Sequence, residues 1–345
     1  MHIPPLDVVA FPFATMSTGF SIRSCSSAPP YSPHFATIQK SLKDFLYTST
    51  ISVCHVEAQP GYLHRVHLLS MSDGSRLVLK CPSPYTRRLL RQEQHSLENE
   101  SLVLELLRSS TSLPVARQIN FDRKGGSFGT SYLLSSFVQG TSMADLFKCL
   151  SSSDRAGIDR SLGSYVKDIS SITATAFGLP HKVAAGTGSR SWREAYRSML
   201  EGVLRDAEDA LVSLPYDSIR YFTTNQSHLL DEIKEPSLVV LDLASERNVL
   251  VDERTKQISG LLGCANAVWG DPLMANVFDG PSEAFLEGFG PRPSRVGGAK
   301  VRQLLYAVYR ATVIIVTHHY RPAQECREFE ARRSLTSALN QLTAV

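Results

Sequence analysis

The sequence predicts an α+β fold of two unequal lobes. Three observations carry that expectation: strand-like runs cluster before Gly140, helical periodicities dominate after it, and one long helical pattern interrupts the strands. A chain of 345 residues, 43% apolar and 20% charged, can bury a sizeable core in each part. Residues up to about Phe35 are rich in Ser and Pro and are expected to form a loose extension, so the predicted organisation is 1–35 extension, 36–138 small lobe and 139–345 large, mainly helical lobe.

In the small lobe, ISVCHVEA, HRVHLLSM and SRLVLKCP read as antiparallel strands separated by PGY and by SDG, a hairpin signal. RRLLRQEQHSLENESLVLELLRSS follows as one long helix, with Leu89, Leu90, Leu97, Val103, Leu104 and Leu107 near helical spacing. LPVARQINFD and TSYLLSSFVQG complete a five-stranded antiparallel sheet. Beyond Gly140, SLGSYVKDISSITATAFG and SWREAYRSMLEGVLRDAEDALVSL read as helices. Trp192, Tyr196, Met199, Val203 and Leu211 form an apolar face there that is core rather than ligand contact. The stretch from Glu283 to Leu342 supplies more amphipathic helix.

Charge and cysteine usage exclude several functions. A net charge of +3 implies no strong field for nucleic acid or an anionic membrane. The six cysteines stand singly, without CxxC or zinc spacing, which fits reduced thiols in a cytoplasmic setting. No signal-peptide pattern or membrane-length apolar run is evident.

Lys80 ends a strand whose neighbours are apolar, and Glu100 follows twenty residues later inside the helix. A lone lysine at a strand end usually snorkels, but one drawn out of water needs a counter-charge. The order of elements favours the pair: three strands, Lys80, a helix with Glu100, two strands, then SSFVQGTSM where the chain crosses to a second lobe.

These segments, with LPVARQI, NVLVDE and AVWGDPL, resemble the aminoglycoside phosphotransferase family in its fungal branch, over roughly Ile51 to Val345. The resemblance implies a bilobal protein-kinase-like fold binding ATP or GTP with Mg2+ between the lobes. It implies that Glu100 holds Lys80 toward the phosphates, that Ser136 and Val138 at the hinge-like SSFVQG contact the nucleotide, and that HVEAQPGYLHRVH covers the phosphates. The acceptor it implies is a small hydroxylated molecule.

Two positions depart from the family pattern. The family's loop, of the form HGDLxxxN, carries over Asn248 as a metal ligand, but Leu243 stands five residues before it, and the only nearby carboxylate is Asp242, six before. Either a one-residue bulge keeps Asp242 facing the cleft as the catalytic residue, or a strict register turns it away. Counted back from WGDP, the family's second metal-binding Asp falls at Gly263, with Asn266 three residues on. Asp271 in WGDP reads as a cap or loop anchor. Two functions follow: an ATP-dependent small-molecule O-phosphotransferase with impaired catalysis, or a pseudokinase serving as a nucleotide- or protein-partner-binding module. Gly263→Asp is expected to strengthen magnesium-dependent nucleotide binding.

Overall fold

A computed structural model describes residues 38–40, 51–61, 63–82, 88–125, 128–291, 298–321 and 325–344. The expected extension over 1–35 lies outside them. Strands β1 (Val53–Gln59), β2 (Arg65–Met71), β3 (Arg76–Cys81), β4 (Gln118–Asp122) and β5 (Tyr132–Ser136) form an antiparallel sheet in the order β1-β2-β3-β5-β4. Its alternation is clean where it matters. Leu77, Leu79 and Cys81 of β3 point into a core with Leu69, Met71, Tyr132 and Leu134. Val78 and Lys80 therefore face the other way, into a cleft.

Between β3 and β4 lies α1 (Ser96–Ser110), shorter than its sequence pattern suggests. The preceding residues, Arg91–Glu93, form a 3-10 turn instead. Tertiary ion pairs explain the difference: Arg91 reaches Asp206 and Asp209, while Glu93 accepts two hydrogen bonds from Arg321 at 2.5 and 2.9 Å. That segment is held by distant helices, which outweighs helix propensity of a few tenths of a kcal/mol per residue. Leu97, Val103, Leu104 and Leu107 of α1 lie in the larger core, which is built chiefly from residues beyond Gly140.

The remaining chain is mainly helical: α2 (Met143–Leu146), α3 (Ser152–Ser170), α4 (Pro180–Ala184), α5 (Trp192–Asp209), α6 (Tyr216–Gln226), α7 (Glu283–Phe289), α8 (Ala299–Tyr320) and α9 (Glu325–Leu342). Helix α3 ends before SITATAFG, which the sequence pattern had continued. Short strands interrupt the helices: β6 (Thr141–Ser142), β7 (Ser237–Val240), β8 (Val249–Val251), β9 (Ile258–Leu261) and β10 (Ala267–Gly270). They pair antiparallel as β6-β8-β9 and β10-β7. The pairing brings two loops side by side: Leu241–Asn248 leads from β7 to β8, and Leu262–Asn266 from β9 to β10.

Candidate active site

The cleft between the five-stranded sheet and the helical part encloses about 820 Å³. On the sheet side, Lys80 Nζ donates to Glu100 Oε1 at 2.5 Å, with side chains 23% and 6% exposed. A carboxylate that dry is tolerable only with its cation, and the second oxygen, Oε2, is buried without a hydrogen bond. Lys80 is thus anchored at one side and open to the cleft on the other. Sequence reasoning missed its neighbour His64, whose Nε2 is hydrogen-bonded to Ser96 Oγ at 2.7 Å in the first turn of α1. Burial lowers the His64 pKa to about 4, Glu100 partly opposing and Lys80 adding to the effect. The imidazole is therefore neutral near pH 7. A histidine inside the segment expected to cover the phosphates was the available signal.

At the crossing, Ser136, Phe137 and Val138 all line the cleft. The Ser136 N–H donates to Arg117 O at 2.8 Å, and its Oγ accepts from the Arg117 N–H at 2.9 Å. Phe137 N–H donates to Arg76 O at 3.1 Å. Val138 is held against Gly260, where an added Cβ would stand 2.3 Å from Val138 Cγ1. Of the two hinge residues singled out in the sequence, Ser136 has its donor committed within the protein. Val138 N–H has no hydrogen-bond partner among the described residues.

The opposite wall is the pair of loops, tied at both ends. Leu241 N–H donates to Asn266 O at 2.9 Å, and Leu262 N–H to Asn248 O at 2.8 Å. Asp242 lines the cleft, whereas Leu243 is buried in the core. The extra residue between Asp242 and Asn248 is taken up by successive turns, Ser245 N–H to Asp242 O at 3.0 Å and Asn248 N–H to Ser245 O at 2.7 Å. Asn248 Nδ2 then donates to Asp242 O at 2.9 Å, which leaves its Oδ1 as the free end of the amide. Burial raises the Asp242 pKa to about 6, with backbone hydrogen bonding and Asn266 opposing, and Oδ1 of Asp242 is buried without a partner.

Gly263 sits beside Asn248. Its φ of +83° suits glycine, and an added Cβ would stand 2.5 Å from Asn248 Nδ2. Magnesium bridging two phosphates calls for hard oxygen donors in octahedral geometry, with one or two protein carboxylates beside the phosphates and waters. Here one carboxylate, Asp242, faces two amides. Among the described residues no group of three His, Cys, Asp or Glu could hold a metal ion, and the position against Asn248 is a glycine with no side-chain oxygen, so the residues present fit a bridging magnesium poorly. Asp271 is not a further candidate. It is buried, accepting from Leu273 N–H at 3.0 Å, Arg302 Nε at 2.9 Å and Tyr306 OH at 2.7 Å, an anchor for α8.

The sequence matches the phosphotransferase enzyme family over residues 56–274. No curated protein matches it. Among solved structures, a candidate fructosamine-3-kinase from Thermobifida fusca aligns at 15% identity with a TM-score of 0.63, covering 89% of this chain and 99% of that one. A thermostable mutant of aminoglycoside phosphotransferase APH(4)-Ia aligns at 15% identity and TM-score 0.61, over 88% and 98% of the two chains. The streptomycin–ATP ternary complex of APH(2")-IIa gives 14% and 0.55, over 90% and 96%. These similarities establish a shared fold. No helix among the described residues is long and apolar enough to cross a membrane.

Proposed function

The chain belongs to the phosphotransferase enzyme family, and from that premise we propose that it binds ATP or GTP in this cleft and phosphorylates a small hydroxylated acceptor slowly. The observation that carries the reading is the contrast between an intact Lys80–Glu100 pair and a glycine beside Asn248. Lys80 supplies fixed positive charge to the nucleotide phosphates, and Val138 N–H positions the base. Asp242 accepts a hydrogen bond from the acceptor hydroxyl and takes its proton. The acceptor oxygen forms a bond to the terminal phosphorus while the bond to the nucleoside diphosphate breaks. A pKa near 6 makes Asp242 a stronger base than an ordinary carboxylate, yet still ionised at pH 7.5.

Magnesium would neutralise phosphate charge if bound. With a poorly fitting donor set, that task falls on Lys80 alone, and transfer is expected to be slow. Gly263 also favours a second reading, a module that holds nucleotide without turning it over and presents it to a protein partner. Calorimetric ATP titration with and without magnesium, followed by a turnover assay, tests both. Affinity changing less than about threefold with magnesium supports the weak-metal reading, and measurable slow transfer separates the enzyme from the module. Magnesium tightening ATP tenfold or more, with turnover of about 1 per second, would overturn both.

A further inference from the structure

The cleft extends past the nucleotide elements onto the helical part, where Leu179, Met199, Tyr309, Val313 and Ile314 line it. Ile314 is 43% exposed, a large apolar side chain left open at the mouth of a cavity. The charged residues along the described lining are Lys80, Arg321 and Arg327 against Glu93, Glu100 and Asp242. The acids are nearly all occupied. Glu100 pairs with Lys80 and Glu93 with Arg321. His318, also in the lining, faces Glu328 at 3.4 Å, and Glu328 is shared with Arg332. Arg327 has no acidic partner among the described residues.

We propose that the acceptor end of this cleft takes a mainly apolar, hydroxyl-bearing molecule whose second polar group is a carboxylate met by Arg327, rather than a polycationic sugar. A polyamine would surrender its hydration to a wall of leucine, methionine, valine and isoleucine with no unpaired carboxylate beyond Asp242 to receive it. An apolar body meets the reverse conditions, since burying its surface against that wall is favourable. A carboxylate at its far end would meet Arg327, whose guanidinium forms two parallel hydrogen bonds with such a group. The hydroxyl then lies toward Asp242.

The proposal rests on the phosphotransferase reading for the role of the bound molecule, but its test reads binding and needs no turnover. The full chain is titrated calorimetrically with 12-hydroxydodecanoic acid below its aggregation concentration, with 1,12-dodecanediol and with kanamycin, and separately with ATP. The hydroxy acid should bind, the neutral diol should bind about tenfold more weakly, and kanamycin should give no heat of binding. Arg327→Glu, at an exposed position, should weaken the acid about tenfold or more; Val313→Glu, in the apolar wall, should weaken acid and diol alike. Kanamycin binding more tightly than the acid, or acid affinity unmoved by both substitutions, overturns the proposal. If the acid binds as expected while ATP does not, the pocket assignment stands and the phosphotransferase reading fails; ATP binding without acid binding means the reverse.

Discussion

The two walls of the cleft keep different amounts of the same chemistry. On the sheet wall, Lys80 and Glu100 form a pair in which the carboxylate is almost dry, and His64 closes over it from the hairpin. On the loop wall, Asp242 and Asn248 are present but Gly263 contributes nothing to a metal. The difference separates two tasks usually performed together. Holding phosphate charge needs one well-supported cation, whereas neutralising charge as it moves during transfer needs a metal held by a carboxylate beside the phosphates.

The sharpest way to break the comparison is at the sheet wall. Lys80→Met leaves Glu100 buried without its cation, which is expected to cost about 3 kcal/mol of stability and to weaken ATP by tenfold or more. Lys80→Met combined with Glu100→Gln removes both charges and should regain most of the stability while leaving ATP binding lost. Denaturant melts and calorimetry on the two variants check this; full ATP affinity in either would show that phosphates are held elsewhere.

The loop wall predicts the opposite sign. Asp242 is held where its ionised form is disfavoured, its pKa moving from the ordinary 3.8 to about 6. Asp242→Asn is therefore expected to raise stability at pH 7.5 by about 2 kcal/mol while abolishing transfer. A variant less stable than the parent would mean that the carboxylate makes contacts that outweigh its desolvation.

These walls were not equally legible in the sequence. Lys80 and Glu100 could be read because each lies on a regular element, where a period of two or of about 3.6 residues fixes which way a side chain points. Asp242 and Asn248 lie in a loop with no such period. Whether six residues could do the work of five depended on the turns through Ser245, which sequence spacing does not specify. The start of α1 was misread because Asp206, Asp209 and Arg321, more than a hundred residues away, hold Arg91 and Glu93 in a 3-10 turn. The apolar wall of the cleft was hidden for a similar reason: Met199 and Tyr309 meet only through tertiary folding, and Met199 reads as core from its helical spacing.

A smaller effect sharpens the contrast at Gly263. Any side chain there meets the left-handed backbone and crowds Asn248, so Gly263→Ala is expected to cost roughly 1–2 kcal/mol, with Gly263→Asp slightly less because Asp tolerates positive φ better. Strain thus accompanies the rescue expected from sequence. Only the difference between the two variants reports the carboxylate: magnesium should tighten ATP for Asp and not for Ala. Equal magnesium responses would show that the missing ligand is not what limits metal binding.

The smallest expected effect is a difference in pH dependence. His64, with its pKa lowered from 6.5 to about 4, belongs to the sheet wall, and Asp242, raised from 3.8 to about 6, belongs to the loop wall. Between about pH 4 and 6.5 the unfolded state binds more protons at His64 than the folded state does. Stability from this group is therefore present above pH 6.5 and lost as pH falls toward 4. For Asp242 the folded state binds the extra proton, so its contribution is full below about pH 3.8 and lost as pH rises through 6. His181, also lowered to about 4 by burial and by His95, adds to the first slope, and the parent protein should lose stability on acidification. His64→Gln, which can keep a hydrogen bond to Ser96, should flatten that loss between pH 6 and 5 by about 1 kcal/mol, and Asp242→Asn should steepen it by a similar amount. Urea melts at half-unit pH steps give the two difference curves. Curves of the same sign would mean that the two walls do not perturb their titrating groups in opposite directions, and the contrast between them would then rest on Gly263 alone.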